Sequence, residues 1–159
     1  MRFTFVTVAA ALFGAAVAAP ASQANETRES VQITDFSAHK SNLKGTLDGP
    51  VDSISFNIIA SAEAGTMGVV CTASAAEGED ALKFKPNSYR CNGGDDNHHY
   101  AFELNEVKEQ NTFSLMIIHQ TAPAFGFWAN VDVPAYCHAG GAETMVCQQV
   151  ADVTADLHL

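Results

Sequence analysis

Residues 125–134 read Phe125-Gly126-Phe127-Trp128-Ala129-Asn130-Val131-Asp132-Val133-Pro134. Phe125, Phe127, Ala129, Val131 and Val133 fall on one side of a period of two, and Trp128, Asn130 and Asp132 fall on the other. Successive side chains of a strand point to opposite faces, so this alternation marks a half-buried strand with an apolar inner face. Proline brings no amide donor to a ladder, and Pro134 is expected to end the strand.

The same period extends in both directions. Phe113 to His119 is apolar on both faces, which predicts a central strand. Upstream, Tyr100, Phe102 and Leu104 alternate with Ala101 and Glu103. Ile54, Phe56 and Ile58 likewise alternate with Ser53, Ser55 and Asn57, and Val31, Ile33 and Asp35 with Gln32 and Thr34 before Phe36. Thr66 to Ala73 is β-branched and apolar around Cys71, and Ser88 to Cys91 makes a further short strand. Gly45, Gly49 and Pro50, the loop from Ala73 to Asp80, Asn92-Gly93-Gly94-Asp95-Asp96-Asn97 and Gly140-Gly141 supply the turns. Downstream, Val146 and Val150 share one phase, whereas Ala151, Val153, Ala155 and Leu157 take the other; the switch predicts a bulge or a break. About eight to ten short strands without an amphipathic helix define an all-β single domain. It is expected to be one antiparallel β-barrel or sandwich over residues 31–159.

The flanks set the compartment. Arg2, an uncharged apolar run from Phe3, and Ala16 and Ala18 before Ala19 read as a secretory signal peptide over residues 1–18. Residues 19–30 are small and polar, and read as a mobile tail. Within it, Asn25-Glu26-Thr27 is a glycosylation sequon, making Asn25 a candidate acceptor in a secreted chain. The formal net charge is −10, which disfavours nucleic acid and anionic membranes as partners. Four cysteines in a secreted chain imply two disulfides, for which three connectivities exist. Cys71–Cys91 with Cys137–Cys147 is favoured, because each bridge closes a short loop between neighbouring extended segments.

Ser55-Phe56-Asn57-Ile58, Cys71-Thr72-Ala73 and Ser88-Tyr89-Arg90-Cys91 occur in that order. They are followed by Tyr136-Cys137-His138-Ala139-Gly140-Gly141 and the block from Val146 to Asp152. In order and approximate spacing, from about residue 31 to the end, the chain resembles the fungal secreted family typified by the major allergen of Alternaria moulds, whose relatives include elicitors from plant-pathogenic fungi. The resemblance implies a compact β-barrel with the same two disulfides, secretion, and an effector or elicitor role in fungus–plant interaction. It implies as partner a plant defence protein of the thaumatin-like kind, or a small phenolic ligand. The family's typical allergen has a further cysteine near the mature N-terminus that links two subunits. Asn25 to Ser30 contains none, so no covalent dimer is expected. Ser88 stands where the family often carries tryptophan.

Trp128, with Asn130 and Asp132 beside it on the polar phase, is the candidate partner-binding group, because exposed tryptophan is a favoured anchor in binding sites. Asp95-Asp96-Asn97-His98-His99 contains metal-ligand residue types, but adjacent histidines of an extended segment point apart, and a polar loop explains them; no metal or other cofactor is expected. A glycosidase needs two carboxylates about 5–10 Å apart across a cleft, and no aromatic cleft pattern singles out a pair. There is no G-x-S-x-G elbow and no free thiol, so the chain is expected not to be an enzyme. His138, inside the small disulfide loop, is expected to be structural. Three alternatives accompany the binding reading: a carrier, a secreted hydrolase using paired carboxylates, and a passive cell-wall or extracellular component. An apolar cavity open at one end would indicate a carrier, and a cleft with two close acids, one of raised pKa, would indicate a hydrolase. A filled core with one exposed aromatic patch would indicate a protein-binding module.

Overall fold

The computed structural model describes residues 29–44, 49–60 and 68–159. The expected signal peptide over 1–18, residues 19–28 of the expected tail with Asn25, and Thr66 with Met67 lie outside the described residues. The strands are β1 (Glu29–Lys40), β2 (Val51–Ala60), β3 (Val69–Ser74), β4 (Ser88–Arg90), β5 (His99–Lys108), β6 (Thr112–Ala122), β7 (Phe125–Gly141), β8 (Thr144–Gln149) and β9 (Val153–Leu157). A single 3₁₀ turn, Glu109–Asn111, separates β5 from β6.

All ladders are antiparallel, in the order β3-β2-β1-β8-β7-β6-β5-β4, and β9 pairs with β1. The path is curled into a nearly closed barrel. Its ends, β3 and β4, are joined by the Cys71–Cys91 disulfide and by the Asn92 amide, which donates to the Val70 carbonyl at 2.8 Å. The second disulfide, Cys137–Cys147, joins residues directly opposite each other on β7 and β8. β6 lies between β5 and β7, the central place its two-faced apolar run predicts.

The inner phases of the alternating strands meet in one core. Phe36 lies 6.2 Å from Phe56 and 5.0 Å from Phe113, and Phe56 lies 4.9 Å from Phe102, so four buried rings run across the interior. Leu104, Leu115, Ile117, Val133 and Leu157 fill the remaining space. The barrel is packed with side chains.

The structure departs from the alternation rule where a strand bends or changes partner. β7 runs 17 residues, straight through Pro134. Up to Pro134 it pairs with β6, and from Ala135 onward with β8, so the missing amide falls where the ladder changes hands. The Pro134 carbonyl still accepts a bond from the Val150 amide at 3.1 Å. Asp35 does not share the inner face of Val31 and Ile33: a bulge between Thr34 and Ser37 leaves it exposed at φ 54° and turns Phe36 inward. The Gln149 side chain satisfies the bulge, accepting from the Phe36 amide and donating to the Ile33 carbonyl, both at 2.8 Å. Glu29 and Ser30 belong to β1, not to a tail, because they pair with Leu157 and Asp156 of β9. The turn after Cys137 is made by Ala142-Glu143, one step beyond the glycine pair. Gly140 sits in a β7 bulge, where an added Cβ would come within 3.0 Å of Val146. The phase switch after Val150 is a break: β8 ends at Gln149 and β9 begins at Val153. β8 and β9 thus lie one after the other alongside β1, and β9 runs out to a bridge between His158 and Trp128 of β7.

Candidate functional site

The register of β6 with β7 sets out the candidate residues. Trp128 stands opposite Ile118, Asn130 opposite Met116 and Asp132 opposite Ser114. Because side chains directly across an antiparallel pair share a face, these rows form the outer surface of the β6–β7 ladder. All three predicted residues are exposed there, with Trp128 at 39%. Trp128 is also anchored. Its amide and carbonyl pair with those of His158 at 2.9 and 3.1 Å, and its ring lies 5.0 Å from the His158 ring.

Two shallow depressions adjoin on this face and share Lys85 and Asn130. The first, about 510 Å³, is lined chiefly by Met116, Ile118, Phe125, Phe127 and Trp128. The second, about 500 Å³, is polar, with Asn105, Glu106, Lys108, Ser114 and Asp132. Together they make a trough with one apolar and one polar end. Phe125 belongs to the trough and not to the core, as its phase had suggested. The β6–β7 hairpin overshoots the barrel end, and with no core beneath it Phe125 is 50% exposed. Its ring meets Phe127 edge-on at 5.8 Å.

At the polar end, the Lys108 ammonium donates to both Asp132 oxygens at 2.9 and 2.8 Å. That hydrogen bond holds the Asp132 carboxyl below its ordinary range and the lysine above its own. Asp132 therefore enters any contact as one half of an ion pair. The Asn105 side-chain amide donates to Asn130 Oδ1 at 3.0 Å, while its own side-chain oxygen is buried without a partner among the described residues.

The remaining candidates are dispersed. The Asp95 carboxylate caps its own turn, accepting from the Asn97 and His98 amides at 2.8 Å, and these bonds lower its pKa. His99 turns back to the Asp95 carbonyl at 3.0 Å, whereas the His98 ring meets His119 edge-on at 4.8 Å. The adjacent histidines thus serve different neighbours, and among the described residues no three metal-ligand side chains converge. His138 is exposed, its ring roughly parallel to that of Tyr136 at 6.4 Å.

One cluster escaped sequence reasoning. At the barrel end, Tyr100 and His119 stand opposite each other on β5 and β6 with rings stacked at 4.1 Å. Glu29 reaches both from β1, accepting from the Tyr100 hydroxyl and lying 2.5 Å from His119 Nδ1. Burial pushes the Glu29 carboxyl up, but the bonds from His119 and Tyr100 outweigh it and the net shift is down. Burial, followed by the bond to Glu29, raises the Tyr100 hydroxyl. The signal in the sequence was the phase that Tyr100 shares with Phe102, and His119 with Ile117. Glu29 gave none, because it sits beside the polar segment.

The fold and this arrangement of strands and disulfides have known counterparts. The family model described as Alternaria alternata allergen 1 matches residues 33–147. The chain belongs to this family. It is 30% identical over 157 residues to the effector protein PevD1 of Verticillium dahliae, covering 94% of this chain and 88% of that protein. Two crystal structures of the Alternaria alternata major allergen Alt a 1 superpose on it. One gives a TM-score of 0.60 at 27% identity, over 80% of this chain and 91% of the allergen. The other gives 0.61 at 26% identity, over 87% and 95%. The allergen family fold therefore accounts for the barrel, and the proteins this chain is similar to include both an allergen and an effector.

Proposed function

We propose that this chain is a secreted, non-catalytic fungal binding protein acting as an effector or elicitor in fungus–plant interaction. The observation that carries the reading is the pairing of a filled barrel with one exposed aromatic trough, built around Trp128. Kinship with an effector and an allergen supports the biological setting. The two disulfides suit an extracellular medium. The packed interior gives an internally bound cargo no room. Among the described residues, the three carboxyls whose pKa departs from the ordinary value, Glu29, Asp95 and Asp132, all move down, the opposite of what a general acid requires.

In this reading Trp128 and Asn130 supply the contact, and the Lys108–Asp132 pair borders it. The partner is a plant defence protein of the thaumatin-like kind, and the acidic chain favours a basic surface on it. The test is capture of a purified basic thaumatin-like protein by the oxidised, leader-free protein, with Trp128→Ala and Asn130→Ala in parallel. Capture by the parent and at least about tenfold weaker capture by folded Trp128→Ala supports the reading. Equal capture by both removes Trp128 from the contact, and no capture by the parent removes this partner class.

A further inference from the structure

The apolar end of the trough carries the Lys85 ammonium, which has no carboxylate partner among the described residues. The Lys85 backbone is fixed by its amide, which donates to the Leu104 carbonyl at 2.9 Å. Its ammonium stands 4.0 Å from the Met116 sulfur. Lys83, Arg90 and Lys108 each have a carboxylate oxygen 2.8 Å away. Among the described residues, Lys85 has no such partner.

The surroundings of that charge are unlike the rest of the surface. Met116, Ile118, Phe125, Phe127 and Trp128 line the depression beside it. The Asn130 amide lies at the junction with the polar end. Sites for small molecules characteristically combine such an apolar bed with a few polar groups that fix orientation. Of the nearby acids, Glu106 and Asp132 are engaged, at 3.8 and 2.8 Å from Lys108. Glu103, opposite Met116 on β5, is buried at 8% exposure. With a formal net charge of −10, the chain as a whole repels polyanions, leaving Lys85 as a local attraction for one acid group on an apolar body.

We propose that the Lys85–Trp128 end of the trough binds a small organic monocarboxylate with a compact apolar body. The body lies on Trp128, Ile118 and Met116, and the carboxylate faces Lys85 with Asn130 beside it. This goes beyond the host-protein reading but uses the same surface. It is measured on the purified chain alone, so its failure and the failure of host-protein capture are separate results.

Trp128 is the only tryptophan in the chain, so its emission reports on the site directly. The probes are para-tert-butylbenzoate and its neutral and cationic counterparts, para-tert-butylbenzyl alcohol and para-tert-butylbenzylamine. They are titrated into the oxidised protein, with calorimetry as the second readout. The expected result is a saturable change with the carboxylate, about tenfold tighter than with the alcohol, and weakest with the amine, since a charge-assisted bond contributes about that factor. Lys85→Gln is expected to bring the carboxylate to the affinity of the alcohol, and Lys85→Arg to keep the preference. Equal affinity of the parent for carboxylate and alcohol would overturn the proposal. So would a carboxylate preference that survives in folded Lys85→Gln.

Discussion

His119 Nδ1 lies 2.5 Å from a Glu29 carboxylate oxygen, and this contact ties the first described residue of β1 to β6 across the barrel end. Tyr100 donates to the other oxygen, so one carboxylate joins three strands. With a side-chain exposure of 21%, Glu29 is shielded enough for these bonds to count. Glu29→Gln is expected to lower stability at neutral pH by about 1.5–3 kcal/mol, the range for hydrogen bonds to a charged group.

The pH dependence follows from the direction of the shifts. The Glu29 carboxyl is held below its ordinary value of 4.5, so its contribution is present above that value and is lost as pH falls through the lower folded one. The raised Tyr100 hydroxyl acts on the other side: its contribution is complete below 10.0 and is lost as pH rises toward the folded value. Urea midpoints measured across both windows should show Glu29→Gln flatter than the parent on the acid side, and Tyr100→Phe flatter on the alkaline side. A Glu29→Gln acid limb as steep as the parent's would contradict the assignment.

Glu103 presents the reverse case. It is buried on the outer phase of β5, and one of its carboxylate oxygens has no partner among the described residues. An unsatisfied buried polar atom costs about 1–3 kcal/mol. Glu103→Met, which keeps the length and removes the unpaired oxygen, should therefore raise the denaturant midpoint, with a gain on the order of 1 kcal/mol. A loss of stability would mean that the carboxylate is satisfied in solution.

Glu103 also marks the reach of sequence reasoning here. Period two correctly assigned it to the face opposite Phe102 and Leu104, but alternation says nothing about whether a face is covered. The same rule placed Trp128, Asn130 and Asp132 together outside, because they lie on an unbroken ladder with β6. It misplaced Phe125, where the hairpin runs past the core, and Asp35, where a bulge changes the phase. Pro134 misled for a related reason: its cost depends on which neighbour needs the amide, and pairing partners are not written locally. The Lys85 end of the trough was equally invisible, since it joins a loop residue to strands some thirty to forty positions later (roughly 100 Å of extended chain).

The two disulfides should differ in kind more than in size. Closing separations of 20 and 10 residues, each contributes about 3 kcal/mol on the chain-entropy account. Cys137 and Cys147 are already neighbours in a ladder, so replacing both with serine should lower the midpoint but leave the fold cooperative. Cys71 and Cys91 join the two ends of the sheet path, and replacing both should in addition speed amide exchange in β3 and β4 before global unfolding. Exchange measured residue by residue separates the two outcomes, and uniform acceleration in both variants would contradict a special role at the barrel seam.

Gly126 underlies the trough. An added Cβ would come within 2.5 Å of the His119 carbonyl oxygen and 3.0 Å of the Gln120 Cα, backbone atoms that cannot swing aside. Gly126→Ala must therefore push β7 away from β6 beside Trp128, at about the 1–3 kcal/mol typical of overpacking. Because Gly126 pairs with Gln120 and Trp128 with Ile118, the displacement falls on the apolar end and spares the polar end around Asp132. The expected signature is a loss of stability together with altered Trp128 emission, while amide exchange at Ser114 and Asp132 stays as in the parent. Stability equal to the parent's would show that the strands yield here without strain, and the close approach of β6 and β7 would then not be what reserves this position for glycine.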